Sequence, residues 1–241
     1  EQGRHGEVET LARATLEIFD VIGAPADSQR RLQTRRRLAE SLLAQGRWEK
    51  ALAEYEAIGT ALAADSTLLE GTFGNDLGWP LALLRVGRAE EAAQLAQGAA
   101  DRAARRLGPK HYNSAEAGAV LAMALAATGD RAAARALFAK NIPILLSRSR
   151  QSSGEEVTRA MREVRLRHIL ESYIGLLAAL HGTTSDASAQ AELAAEAFRL
   201  AEAARGRNVQ RALAASSARA AVSDPTLADL IRQEQDAQKQ I

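Results

Sequence analysis

The sequence predicts an all-α fold, a solenoid of stacked helix pairs, and three observations carry that expectation. Alanine is abundant while aromatics are only 4% of 241 residues, so helices can approach one another closely. Apolar residues recur at helical spacing between short breaks, and no segment alternates convincingly enough for a strand. The breaks also recur: Gly46, Gly87 and Gly129 are 41 and 42 residues apart, and Gly182 follows after 53.

The clearest unit runs from Leu107 to Ile142. Gly108-Pro109 cannot continue a helix, and beyond it Ala119, Ala122, Met123 and Ala126 share one face. Thr128-Gly129-Asp130 breaks the period, which Ala133, Ala134, Leu137 and Phe138 resume. Such a pair has an apolar flank on each side and needs neighbours to bury both. Pro143 is expected to bend or end its second helix.

The remaining elements follow from the same signals. Residues 7–23 read as a lone leading helix, closed by Gly23-Ala24-Pro25, with Asp27 or Ser28 as the next cap. A helix then runs to about Ala44, with Leu32, Leu38, Leu42 and Leu43 inward. Gln45-Gly46-Arg47 turns the chain into a partner that carries Trp48, Leu52, Tyr55 and Ile58. In the next pair Gly71, Gly74, Gly78 and Pro80 interrupt the first helix, so a kink or a late start is expected there. Its second helix spans Ala89 to Leu107. A fourth pair starts near Ser152-Ser153-Gly154, has a long polar turn from His181 to Ser188, and continues through Leu193, Ala194, Ala197 and Phe198. Asn208 to Val222 reads as a further helix, and Ser223-Asp224-Pro225 as a stop and restart before a last one. The organisation expected is a leading helix over residues 1–26, about four helix pairs over 27–206, and a helical extension over 207–241.

The units match position by position. Five residues after each of the first three glycines stands Ala51, Ala92 or Ala134; nine after stands Tyr55, Ala96 or Phe138. Ala194 and Phe198 are the expected counterparts in the fourth unit, displaced by its longer turn. Eight before each glycine lies Leu38, Trp79, Leu121 or Ile174, and seven before lies Ala39, Pro80, Ala122 or Gly175. Small residues at such offsets mark places where helices cross.

These residues resemble the tetratricopeptide repeat, in the longer-period variety of the kinesin light chain. Leu107-Gly108-Pro109-Lys110-His111 matches the LGPxH start of that variety, and QGRWEKALAEY at Gln45–Tyr55 matches its turn and second helix. The likeness covers roughly residues 30–206. Two features depart from it: Arg36-Arg37 and Ala119-Val120 replace an Asn pair, and Pro80 stands where a small non-proline residue belongs. The resemblance implies a right-handed superhelix whose inner surface is lined by the first helix of each pair. The tail from Ala195 onward resembles the segment that joins such arrays to caspase-like CHAT domains in bacterial proteins. That resemblance implies a downstream protease domain in a bacterial protein; for the compartment the cytoplasm is the expectation, and a removed signal peptide stays open as the alternative. The chain begins at Glu1 without Met and is read as an excised fragment.

Composition narrows the chemistry. Lys plus Arg (31) nearly balances Asp plus Glu (30), which gives no broad field for nucleic acid or an anionic membrane. There is no cysteine, hence no disulfide, thiolate zinc site or cysteine nucleophile in this sequence. The histidines, His5, His111, His168 and His181, lack metal-ligand spacing, and His111 reads as part of its turn. The serines have no Gly-x-Ser-x-Gly context, and the glycines punctuate helices rather than cradle phosphate. Arg36 and Glu40 are i,i+4 neighbours able to pair. Arg159, Arg162, Arg165 and Arg167, interleaved with glutamates, read as a solvated, internally paired face.

The expectation is therefore a non-catalytic scaffold without cofactors that docks a protein or peptide partner, or a downstream domain of its own polypeptide. No nucleic acid and no membrane are expected as partners. The inner face is expected to present Gln33, Arg36 and Glu40 from the first unit and Leu77, Leu81 and Leu84 from the second. Glu116 and Met123 come from the third, and Ile169 and Ser172 from the fourth. The leucine stripe is apolar enough that either a ligand or the chain itself must cover it. The alternative function is control, in cis, of the caspase-like domain.

Overall fold

The computed structural model describes residues 2–148 and 156–220, and all regular structure among them is helical. The chain divides into two compact units, one of His5–Leu176 and one of residues 1–4 with 177–241.

In the larger unit, the leading helix α1 (Gln2–Val21) precedes α2 (Gln29–Ala44) and α3 (Trp48–Ala61). Two short helices follow, α4 (Ser66–Phe73) and α5 (Gly78–Arg85), then α6 (Ala89–Leu107). Next come α7 (Tyr112–Thr128), α8 (Arg131–Arg148) and the first part of α9 (Glu156–Thr183). α2 packs on α3, α5 on α6 and α7 on α8; between pairs, α3 meets α5 and α6 meets α7. The first helices also meet one another, α2 with α5 and α5 with α7. Each pair thus buries its flanks on the next, the contact order of a helical repeat.

The matched offsets explain that packing. Ala51, Ala92 and Ala134 are fully buried, as are Tyr55, Ala96 and Phe138 four residues on. A methyl group at the crossing lets two helix axes approach, and in the first and third units the ring of Tyr55 or Phe138 fills the space beside it, where the second has the small Ala96. Gly46, Gly87 and Gly129 have φ of 72°, 85° and 97°, the left-handed conformation that turns one helix of a pair into the other.

The second pair solves its proline problem by starting late. α4 ends at Phe73, and α5 begins only at Gly78, so Pro80 lies in the first turn, where its missing amide hydrogen is not needed. Asp76 holds the break: its Oδ1 accepts from the Gly78 amide at 2.8 Å and from the Tyr55 hydroxyl at 3.3 Å. Tyr55 in turn stacks on Trp79, ring centroids 5.7 Å apart, which ties the first pair to the second.

Of the two outcomes expected for Pro143, ending the helix does not occur, since α8 runs on to Arg148. Three expectations need correction. Gly182 lies inside α9 rather than in a turn, and the polar connection shrinks to the residues between Thr183 and Ala187. The fourth unit does not repeat the first three, since Ala194 is exposed and Phe198 is 67% exposed. In the smaller unit, α10 (Ala187–Ala220) is one continuous helix, with no break near Asn208. Asp186 caps it through the Ser188 amide at 2.9 Å, and Leu193 and Leu200 are buried positions among its described side chains. The stop at Ser223-Asp224-Pro225 and the last helix lie outside the described residues.

Candidate functional site

The first helices α2, α5 and α7 share one side of the larger unit, and part of α9 lies against the same elements. His168 on α9 meets Trp48 edge to face, ring centroids 5.5 Å apart, and hydrogen-bonds Arg85 at the end of α5. Three residues earlier Arg165 reaches Glu116 on α7, and Arg162 lies over the Tyr112 ring at 5.5 Å. Tyr173 stacks on Phe138 of α8 at 4.7 Å. A first helix that merely continued the stack would touch the preceding pair, as α7 touches α5 and α6. α9 instead touches residues from all three preceding pairs.

Beside α9 lies a cavity of about 210 Å3. α2 contributes Arg36 and Glu40, and the break between α4 and α5 contributes Asn75, Asp76 and Leu77. α6 supplies a floor of small residues, Ala99 and Ala103, then Arg106 and Leu107 at its end. The start of α7 adds Asn113, Glu116 and Ala117, and α9 closes the ring with Arg162 and Arg165.

The charges are unevenly matched. Arg165 pairs with Glu116 through Nε–Oε1 at 2.8 Å, and a second nitrogen lies 3.5 Å from Oε2. Glu116 is buried, and the Arg165 side chain is only 16% exposed. Burial alone would lower the Arg165 pKa, but Glu116, with Asp76 and Glu40 nearby, holds it above its ordinary value. Burial raises the Glu40 pKa, and the like charge of Asp76 adds to the shift. Arg36 offsets this weakly, because its Nε is 3.8 Å from Glu40 Oε1, and that buried nitrogen has no hydrogen-bond partner.

The expected inner-face residues divide by depth. Arg36, Glu40, Leu77 and Glu116 come together around the cavity. Gln33, Leu84 and Ser172 are half-buried and lie outside its lining. Leu81, Met123 and Ile169 are buried, at 2%, 7% and 0% exposure, so the chain itself covers them. A partner cannot reach those three without displacing what covers them. One arginine of α9 corrects an expectation: Arg165 is paired, but with Glu116 of α7, and its side chain is largely withdrawn from solvent, whereas Arg167 is exposed. His111 caps α7, its Nδ1 accepting from the Asn113 amide at 3.1 Å.

Sequence reasoning missed Asp76, Arg106, Asn113, Arg162 and Arg165 as site residues. A signal existed for Asp76, which sits two residues before a glycine where a helix must restart. None existed for Arg106, whose helical periodicity places it on a polar face like many others. Among the described residues no helix is long and apolar enough to cross a membrane. The architecture belongs to the all-α class of stacked helix pairs. No protein-family model matches the chain, and no curated protein matches it.

Proposed function

We propose that this chain is a non-catalytic interaction scaffold of the tetratricopeptide type, which docks a protein or peptide segment on the side formed by its first helices. The nearest-neighbour order of α2, α3, α5, α6, α7 and α8 is the observation that carries this reading, because such stacks present a stiff extended surface. Gln33, Arg36, Glu40, Leu84 and Ser172, all half-buried, provide its accessible part. Selection of a displayed peptide library against the full chain tests the proposal. Enriched peptides should lose binding to Gln33→Arg and Ser172→Arg variants. Peptides that bind both variants as well as the parent would overturn it.

A second reading has α10 behind it. At 34 residues without a break it is a rod about 50 Å long. A stiff connection of that kind suits an arm that controls a caspase-like domain in the same polypeptide. Peptide cleavage by the full-length protein, with and without residues 1–206, separates the two readings. Equal cleavage at every partner concentration would count against control in cis.

A further inference from the structure

We propose that the cavity between α2, α6, α7 and α9 binds a small zwitterion, a free α-amino acid, with its carboxylate at Arg106 and Arg162 and its ammonium at Glu40 and Asp76. This goes beyond partner docking and does not depend on it. The cavity carries both signs: Glu40 and Asp76 come from α2 and the α4–α5 break, with Arg36 also on α2, whereas Arg106 and Arg162 come from the end of α6 and from α9.

Subtracting the charges already matched leaves both signs. Glu116 is taken by Arg165. Asp76 accepts two hydrogen bonds, both through Oδ1, which leaves its other oxygen for a donor from a ligand. Among the described residues the one ion pair of Glu40 is the long contact with Arg36, with Arg165 and Arg37 acting from farther away, and the neighbouring Asp76 opposes its ionisation; an inserted ammonium would relieve that repulsion. Among the described residues neither Arg106 nor Arg162 forms an ion pair, although Arg162 lies over the Tyr112 ring. Two guanidinium groups and the Asn113 amide form a donor set suited to a carboxylate. At about 210 Å3 the cavity is below the range of drug-sized sites, which favours a ligand of very few heavy atoms. A simple anion would meet Glu40 and Asp76, and a simple cation would meet the arginines. A zwitterion offers a counter-charge to both sets of groups.

Isothermal calorimetry on the full chain tests this, with the standard amino acids offered singly and inorganic phosphate as the anion control. At least one free amino acid should bind. Its N-acetyl form, without the ammonium, and its methyl ester, without the carboxylate, should each bind about tenfold more weakly or worse. Arg106 is exposed, so Arg106→Ala should keep the helical circular dichroism while weakening the amino acid about tenfold. Glu40→Gln should weaken the free amino acid and leave its N-acetyl form unchanged. Absence of binding by every amino acid would overturn the proposal. So would equal binding of the blocked derivatives, or tighter binding of phosphate. The peptide selection reads Gln33 and Ser172, which do not line the cavity, so the two readings fail independently.

Discussion

Glu116→Leu should cost this protein about 3 kcal/mol of stability, because it strands the Arg165 guanidinium in a buried setting. Breaking a buried ion pair from one side typically costs about 3–5 kcal/mol. The lower end applies here, since Asp76 and Glu40 remain near Arg165 and its side chain keeps 16% exposure. Removing both charges should be far milder. Glu116→Leu/Arg165→Met should return to within about 1 kcal/mol of the parent, as apolar replacements of buried pairs commonly do. Urea unfolding followed by circular dichroism measures all the stabilities needed for the cycle. A single variant within about 0.5 kcal/mol of the parent, or a double variant worse than the single, would refute the buried pairing of α9 with α7.

Two further outcomes follow from the same neighbourhood. A Cβ on residue 78 would lie 2.1 Å from the Tyr55 hydroxyl and 3.0 Å from Leu43 Cδ1, and Tyr55 is held between the core and Trp79. Gly78→Ala should therefore cost about 2–3 kcal/mol in denaturant unfolding, and a neutral result would contradict the tight approach of α5 to α3. Glu40 has its pKa raised in the fold, so its contribution is fully present below the ordinary value of 4.5 and is lost as pH rises through the folded value. Glu40→Gln should thus raise Tm slightly at pH 7 with a gain that vanishes below pH 4.5; a gain that grows in acid would reverse the sign.

The repeat was legible because it is written in small residues at fixed offsets. Ala51, Ala92 and Ala134 follow their glycines by the same five positions and share complete burial. Pro80 was legible too, as a late start, because proline is tolerated only near a helix beginning. The fourth unit deceived for a physical reason. Gly182 stands where a turn glycine is expected, yet it lacks the left-handed conformation of Gly46, Gly87 and Gly129, and α9 holds to Thr183, because one glycine in a last helical turn costs only about 1 kcal/mol. Ala194 and Phe198 then lost their supposed equivalence. The cavity was half legible: Arg36, Glu40, Leu77 and Glu116 followed from the face of each first helix. Arg162 and Arg165 did not, because their place depends on how α9 meets the other helices, and Arg106 did not, because nothing on α6 sets it apart from other exposed arginines. Periodicity along one helix carries no information about that contact.

The placement of α9 against all three preceding pairs is the claim on which the cavity rests, and aromatic nuclear Overhauser spectra test it most directly. With four histidines, two tryptophans and three tyrosines, selective labelling makes the needed ring signals assignable. Cross-peaks from Trp48 to His168 and from Phe138 to Tyr173 should both be present, since those ring centroids are 5.5 and 4.7 Å apart. A spectrum with the Phe138–Tyr173 peak but without Trp48–His168 would mean that α9 only continues the stack, and the ring of residues around the cavity would open.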